Sequence, residues 1–204
     1  QIDDDVLMYV DPKGIIPLRQ SIVGYFKNYD LDYDIDEILV TMGGSEAIWY
    51  TFLTLCDEGD EIICPDPVYS IYREVAKATG VKLVPVETYA EEGFELPAKE
   101  VIEKCITDKT RAFILNTPGN PTGRVYTKRE MDDISQLALQ YDLFIISDEV
   151  YRDFIYDGEE FLSFAAREDV AEKVILVESA SKRFSACGAR VGFLATKNKE
   201  VYEG

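Results

Sequence analysis

The chain has 204 residues, of which 47% are hydrophobic and 12% aromatic, a composition typical of one globular domain with a sizeable core. Its 39 acidic and 21 basic residues give a formal net charge of −18, which argues against nucleic acid and anionic membranes as partners. Four cysteines without CxxC spacing and the absence of histidine exclude a zinc ligand set and Ser-His or Cys-His catalytic pairs.

Apolar runs rich in β-branched residues alternate with amphipathic segments along the chain. In chain order, the pattern predicts a short strand before residue 41, a helix over 45–55, a strand over 61–64, a helix over 70–79, a strand over 81–86, a helix over 98–105, a strand over 111–115, a helix over 128–141, and strands over 143–146, 174–177 and 191–194. This alternation indicates an α/β domain around a mostly parallel sheet. We therefore expect ligands at the carboxyl ends of the strands.

A glycine pair stands between the first strand and the first of these helices. Gly43 and Gly44 allow the chain to bend there, and Ser45 follows as a candidate N-cap residue. Free backbone N–H groups and the helix dipole favour an anion such as phosphate at this point. The same residues are also consistent with an ordinary helix start.

Two further strand ends carry candidate ligand-binding side chains. Tyr69 follows two prolines and presents a flat ring for stacking, or packs under a loop. Asn120 lies in Asn116-Thr-Pro-Gly-Asn-Pro-Thr-Gly123, a turn held by two prolines and two glycines. The side-chain amide of Asn116 or of Asn120 is a candidate donor to a ligand oxygen, whereas a purely structural turn is the alternative.

A carboxylate and a lysine complete the set of candidates. Asp148 ends an apolar strand and needs a cationic partner if it is buried, unless it caps a helix; Tyr151 follows three residues later. Lys182 lies among small residues in Ser179-Ala-Ser-Lys-Arg-Phe-Ser-Ala-Cys-Gly-Ala-Arg190. Such a lysine can act as a nucleophile, activated by desolvation or by a nearby cation such as Arg190.

These segments, in this order, resemble the fold-type I pyridoxal-phosphate enzymes, specifically the class I and II aminotransferases related to aspartate aminotransferase. Asn-x-Pro-x-Asn-Pro-Thr-Gly, Ser-Asp-Glu-Val-Tyr and Ser-x-Ser-Lys with an arginine eight positions later are the most specific motifs. The resemblance implies a three-layer α/β/α large domain, pyridoxal 5′-phosphate as cofactor, and no metal.

The resemblance also implies a role for each candidate residue. Lys182 would join the cofactor covalently and move the substrate proton, with Asp148 paired to the ring nitrogen. Asn120 and Tyr151 would hydrogen-bond the phenolic oxygen of the ring, and Tyr69 would stack on its face. The phosphate would be bound by Gly43, Gly44, Ser45, Ser179, Ser181 and Arg190, and, from the neighbouring subunit of a homodimer, by Tyr9.

The implied activity is transfer of an amino group from an L-amino acid, with aspartate or an aromatic amino acid as the expected donor, to a 2-oxo acid. We expect residues 1–204 to be the large domain of a longer protein, with the N-terminal arm and the small C-terminal domain outside this chain. Because no apolar run reaches about 18 residues and no signal peptide is recognised, we expect a cytoplasmic location.

Two other functions share the same cofactor contacts. A lyase of this fold, such as a C–S lyase, would eliminate from its substrate instead of transferring the amino group. A sensor domain of a transcription regulator would bind the cofactor without turnover, and would require a basic DNA-binding segment in the same protein.

Overall fold

The structure, a computed structural model, describes residues 9–204. Within this range the helices α1 to α7 span Ile16–Lys27, Gly44–Leu55, Ser70–Thr79, Lys99–Glu103, Lys128–Gln140, Ala180–Arg183 and Lys199–Glu203. The strands β1 to β7 span Ile38–Thr41, Glu61–Asp66, Lys82–Glu87, Thr110–Asn116, Phe144–Asp148, Val174–Ser179 and Gly192–Thr196. None of the helices in this part of the chain is long and apolar enough to cross a membrane.

The seven strands form one sheet in the order β1-β7-β6-β5-β4-β2-β3. The strands β2 to β6 pair in parallel, whereas β7 is antiparallel to both of its neighbours, β1 and β6. Six strands therefore run in one direction and β7 runs in the other. As a result, the carboxyl ends of six strands and the start of β7 meet at one edge of the sheet.

Alternating residues of the strands bury two opposite faces of the sheet. On β4, Ala112 and Ile114 pack with residues of α2 and α3, whereas Phe113 and Leu115 pack with residues of α5. The α1 helix covers the β1–β7–β6 part of the sheet, where Phe26 contacts Phe193 with ring centroids 5.6 Å apart. The mostly parallel α/β fold that the sequence predicts is confirmed, with helices on both sides of the sheet.

The predicted strands and helices are present, with shifts of up to two residues at their ends. The α1 helix is an element that the sequence analysis does not predict, and its buried residues are Arg19, Ile22 and Phe26. The Arg19 guanidinium donates to the carbonyl oxygens of Gly14 and Ile35, each at 3.1 Å. The guanidinium also forms a salt bridge with Asp11 at 2.9 Å. Together these contacts compensate for burying the charge.

Candidate functional site

A cavity lies at the sheet edge where the carboxyl ends of the strands meet. Among its lining residues are ten of the twelve that the sequence predicts: Gly44, Ser45, Tyr69, Asn120, Asp148, Tyr151, Ser179, Ser181, Lys182 and Arg190. The order of the strands spreads these groups across the edge. The candidate donors for an anion follow β1 and β6 and precede β7. The Asp148 carboxylate ends β5, the Asn120 side chain follows β4 and the Tyr69 ring follows β2.

The turn between β1 and α2 forms the anion-binding side of the cavity. Gly43 is the N-cap of α2 and has φ 84°, a conformation that favours glycine. A Cβ atom there would lie 2.9 Å from Cζ of Arg190 and would collide with Nη2 of the same side chain. The turn therefore needs glycine for its backbone conformation, and a side chain there would also displace the Arg190 guanidinium. The prediction that Ser45 is the N-cap residue is wrong, because Ser45 lies within the first turn of the helix.

Arg190 and the serines of the β6 end provide further donors beside that turn. The Arg190 guanidinium donates to the carbonyl oxygens of Cys187 and Met42, each at 3.1 Å, and this fixes its position. Ser179 Oγ lies 2.8 Å from Ser181 Oγ and accepts a bond of 3.0 Å from the Ser181 amide. Three side chains with N–H or O–H donors therefore line the cavity near the N-terminus of α2, which suits a phosphate group.

The Asp148 carboxylate lies at the end of β5 and is only 4% exposed. Among the described residues it has no salt bridge, and its partners are the Tyr72 hydroxyl and, at 3.4 Å, the Val150 amide. Burial raises the pKa of Asp148 to about 6, against the hydrogen bond from Tyr72, which lowers it. Asp148 is followed by a turn and not by a helix, so it is not a helix N-cap residue. A cation placed beside it would relieve the cost of its burial.

Asn116 connects the turn that carries Asn120 to the end of β5. Its Nδ2 atom donates to the Asp148 carbonyl oxygen at 2.9 Å, and its Oδ1 atom accepts from the backbone N–H of Asn120 at 2.6 Å. The Asn120 side chain is left to face the cavity. The ring of Tyr69 packs edge-on against Tyr72, with the centroids 5.5 Å apart and the planes at 85°.

Lys182 lies on the short helix α6 and its Nζ atom is 5.6 Å from the centroid of the Tyr151 ring. No carboxylate of the described residues forms a salt bridge with it. The amine is therefore available to a ligand in the cavity. Cys187, which the sequence interpretation did not consider, also lines the cavity and donates to the Ser181 carbonyl oxygen at 3.3 Å.

Two predicted residues lie outside the cavity lining. Gly43 contacts the site indirectly, through Arg190. Tyr9 is fully exposed at 106%, so within this chain it reaches no ligand, and its role toward a neighbouring subunit stays a prediction. Asn116, which the turn motif offers beside Asn120, also lines the cavity. Tyr72 is not predicted, because no motif indicates it.

A buried ion cluster lies next to the site. Arg152 is sandwiched among aromatic rings and forms salt bridges with Glu149 and, at 3.2 Å, with Glu178. The Arg152 guanidinium thus forms salt bridges with two buried acidic side chains. Burial raises the pKa of Glu178 to about 8, although Arg152 lowers it. In the described part of the chain, no group of three or more His, Cys, Asp or Glu side chains is arranged to hold a metal ion.

Comparison with known proteins matches residues 1–204 to the family described as aminotransferase class I and II. The chain is 38% identical to aromatic-amino-acid aminotransferase 2 of Thermococcus litoralis over 95% of its own length and 50% of that protein. It is 37% identical to the aspartate aminotransferase of Bacillus sp. strain YM-2 over 92% of its length and 48% of that protein.

Solved structures give the same result. An aromatic aminotransferase from Pyrococcus horikoshii superposes with a TM-score of 0.90 at 35% identity, over 96% of this chain and 52% of that one. A tetra mutant of Thermus thermophilus aspartate aminotransferase superposes with a TM-score of 0.88 at 35% identity, over 95% and 53%. The chain spans about half the length of the relatives it matches.

Proposed function

The chain belongs to the class I and II aminotransferase family, and from this membership we propose that it is the cofactor-binding large domain of a pyridoxal-phosphate-dependent aminotransferase. Residues 1–204 would form that domain, and the small domain and the N-terminal arm would be supplied by the rest of the protein. The aminotransferase names of the relatives support the activity.

The observation that carries this proposal is the distribution of charge around the cavity. Asp148 is buried without a salt bridge among the described residues, while Arg190, which likewise forms no salt bridge there, and the start of α2 offer donors for an anion. A ligand with a cationic ring and an anionic phosphate would compensate both groups at once. Lys182 lines the same cavity with a free amine.

The residues of the chain would then act on the cofactor in distinct ways. When bound, pyridoxal phosphate supplies an aldehyde that takes up an amino group and a cationic ring that withdraws electrons. Asp148 would keep the ring nitrogen protonated, and Tyr69 would cover the ring. Asn120 and Tyr151 would donate to its phenolic oxygen. Lys182 would hold the aldehyde carbon and then carry the proton removed from the substrate α-carbon.

The substrates we propose are an L-amino acid and a 2-oxo acid, with aspartate or an aromatic amino acid as the donor. Relatives named for both donor types match the chain at similar identity, which supports this pair of candidates equally. We further propose that the protein acts as a cytoplasmic homodimer, in which Tyr9 reaches the phosphate of the partner. The complete exposure of Tyr9 in the single chain is consistent with such a role.

The test uses the full-length protein, pyridoxal phosphate and borohydride, which fixes an imine irreversibly. Wild-type protein should retain the cofactor on Lys182 after reduction, located by peptide mass mapping. Lys182→Ala should retain none, because no other amine lines the cavity in the described residues. Lys77→Ala, a change of an exposed lysine on α3, is the matched control and should behave as wild type.

Turnover distinguishes transfer from elimination. With aspartate or an aromatic amino acid and 2-oxoglutarate, the wild-type protein should form glutamate. With a β-thioether amino acid and no acceptor, a C–S lyase would instead release the thiol, pyruvate and ammonia, because the β-substituent leaves and no oxidant is needed. Absence of cofactor from reduced wild-type protein would refute the proposal as a whole.

A further inference from the structure

Tyr72 contacts two of the groups that surround the proposed cofactor ring. It is 1% exposed and lies on α3, whose N-terminus follows Tyr69. Its hydroxyl donates to Oδ2 of Asp148, and its ring packs nearly perpendicular to the Tyr69 ring at a centroid distance of 5.5 Å. A single buried side chain thus joins the carboxylate and the stacking ring.

The hydrogen bonds of Asp148 are unequal. Oδ2 takes the Tyr72 hydroxyl, whereas Oδ1 has only the long bond of 3.4 Å from the Val150 amide. Oδ1 is therefore the oxygen with capacity for a further donor. Because Tyr72 is held in the core between α2, α3 and the sheet, it also fixes the rotation of the carboxylate.

We propose that Tyr72 is a positioning residue for the reaction, which fixes Asp148 and Tyr69 against the cofactor ring and keeps Asp148 ionised; this rests on the proposed function. Tyr72 does not line the main cavity, so it acts through these two residues. It is distinct from the ligand-binding residues that the sequence motifs indicate.

The charges and hydrogen bonds around Asp148 determine in which direction its pKa changes when the Tyr72 hydroxyl is removed. Burial and the neighbouring Glu149 raise the pKa of Asp148, while Tyr72 and Lys182 lower it. Glu178 is a further carboxylate that interacts with Asp148. A hydrogen bond to a charged group shifts a pKa by about 1 to 2 units. Without the Tyr72 hydroxyl, Asp148 would titrate about 1 to 2 units higher than its present value of about 6, and at pH 7 much of it would be protonated and unable to hold a cationic ring.

The test compares Tyr72→Phe with Tyr126→Phe in the full-length protein. Both tyrosines are buried and both line a small cavity behind Asn120, but only Tyr72 bonds Asp148. The Asp148 carboxyl would be titrated by carbon-13 NMR in protein freed of pyridoxal phosphate, with its signal assigned by its loss in Asp148→Asn. The affinity for pyridoxal phosphate at pH 7 would be measured on the same variants.

We expect Tyr72→Phe to raise the Asp148 midpoint by about 1 to 2 pH units and to weaken pyridoxal phosphate binding at pH 7 about two- to tenfold, because the ionised fraction of Asp148 would fall from about 0.9 to about 0.5–0.1. Tyr126→Phe should change neither value. Tyr72→His, which keeps a ring and restores a donor, should move the midpoint back toward wild type. This midpoint is a readout that a merely structural role for Tyr72 would not move.

Three other outcomes would refute the role of Tyr72, and one of them would also refute the proposed function. An unchanged Asp148 midpoint in Tyr72→Phe, with normal cofactor binding by wild type, would refute the role of Tyr72 and leave the proposed function standing. Equal effects of both Tyr→Phe changes would mean that packing alone matters, which also refutes it. Wild-type protein that binds no pyridoxal phosphate would refute the proposed function, and the role of Tyr72 with it.

Discussion

Gly192, the first residue of β7, offers the sharpest test of how the sheet builds the anion-binding turn. It pairs with Thr41 on one side and with Ser179 on the other. A Cβ atom at this position would lie 2.6 Å from the backbone nitrogen of Gly44 and 2.7 Å from Cα of Gly43. The atoms in the way belong to the backbone, so no side chain can rotate to make room.

The size of the effect follows from this geometry. Ordinary contact begins near 3.4 Å, and the backbone carbonyl carbon of Gly43 would lie even closer to the added Cβ than the two atoms just named, so Gly192→Ala would have to push the turn away by about 1 Å. Overpacking of this kind costs about 1–3 kcal/mol of unfolding free energy. A displacement near 1 Å at a binding site can also cost on the order of 100-fold in activity, because the amides of the turn would no longer face the ligand.

Chemical denaturation and titration with pyridoxal phosphate would measure the two effects. The control is Gly24→Ala in α1, where an added Cβ meets no atom within 4 Å. Because alanine is favoured over glycine inside a helix, this control should gain about 0.5–1 kcal/mol of stability. Wild-type stability and cofactor affinity in Gly192→Ala would refute the close packing of β7 against the turn.

Three further predictions concern single residues of the site and its surroundings. Arg190→Lys should weaken pyridoxal phosphate binding at least about tenfold without unfolding the protein, because lysine cannot form a bidentate contact with phosphate; unchanged affinity in a fluorescence titration would contradict this. Asn116→Ala should lower the unfolding free energy by about 1–3 kcal/mol in urea denaturation, because two backbone groups lose a partner, and a change below about 0.5 kcal/mol would count against it. The raised pKa of Glu178 means that its contribution to stability is present below its ordinary value of 4.5 and is lost as the pH rises through about 8. Glu178→Gln should therefore flatten the decline in unfolding free energy between about pH 5 and pH 8, whereas an equally steep decline would rule out Glu178 as its source.

For the seven strands and for α2 to α5, the type and order of the elements followed from the sequence alone. The strands are continuous apolar runs because both faces of the sheet are covered. Such runs can be recognised in a sequence without knowing which residues contact each other. The candidate residues were found for a related reason. Glycine, proline, asparagine and aspartate interrupt the apolar pattern at strand ends, and in a parallel sheet those ends meet at one edge.

Only the tertiary structure decided which groups touch. The position of β7 between β1 and β6 depends on strand pairing, and it brings Gly192 against the turn that holds Gly43. The contact of Tyr72 with Asp148 joins residues 76 positions apart, and the buried Arg19 depends on carbonyl oxygens outside its own helix. Local periodicity carries no information about such long-range contacts, because they are set by how the layers pack and not by the residues next to them in the chain.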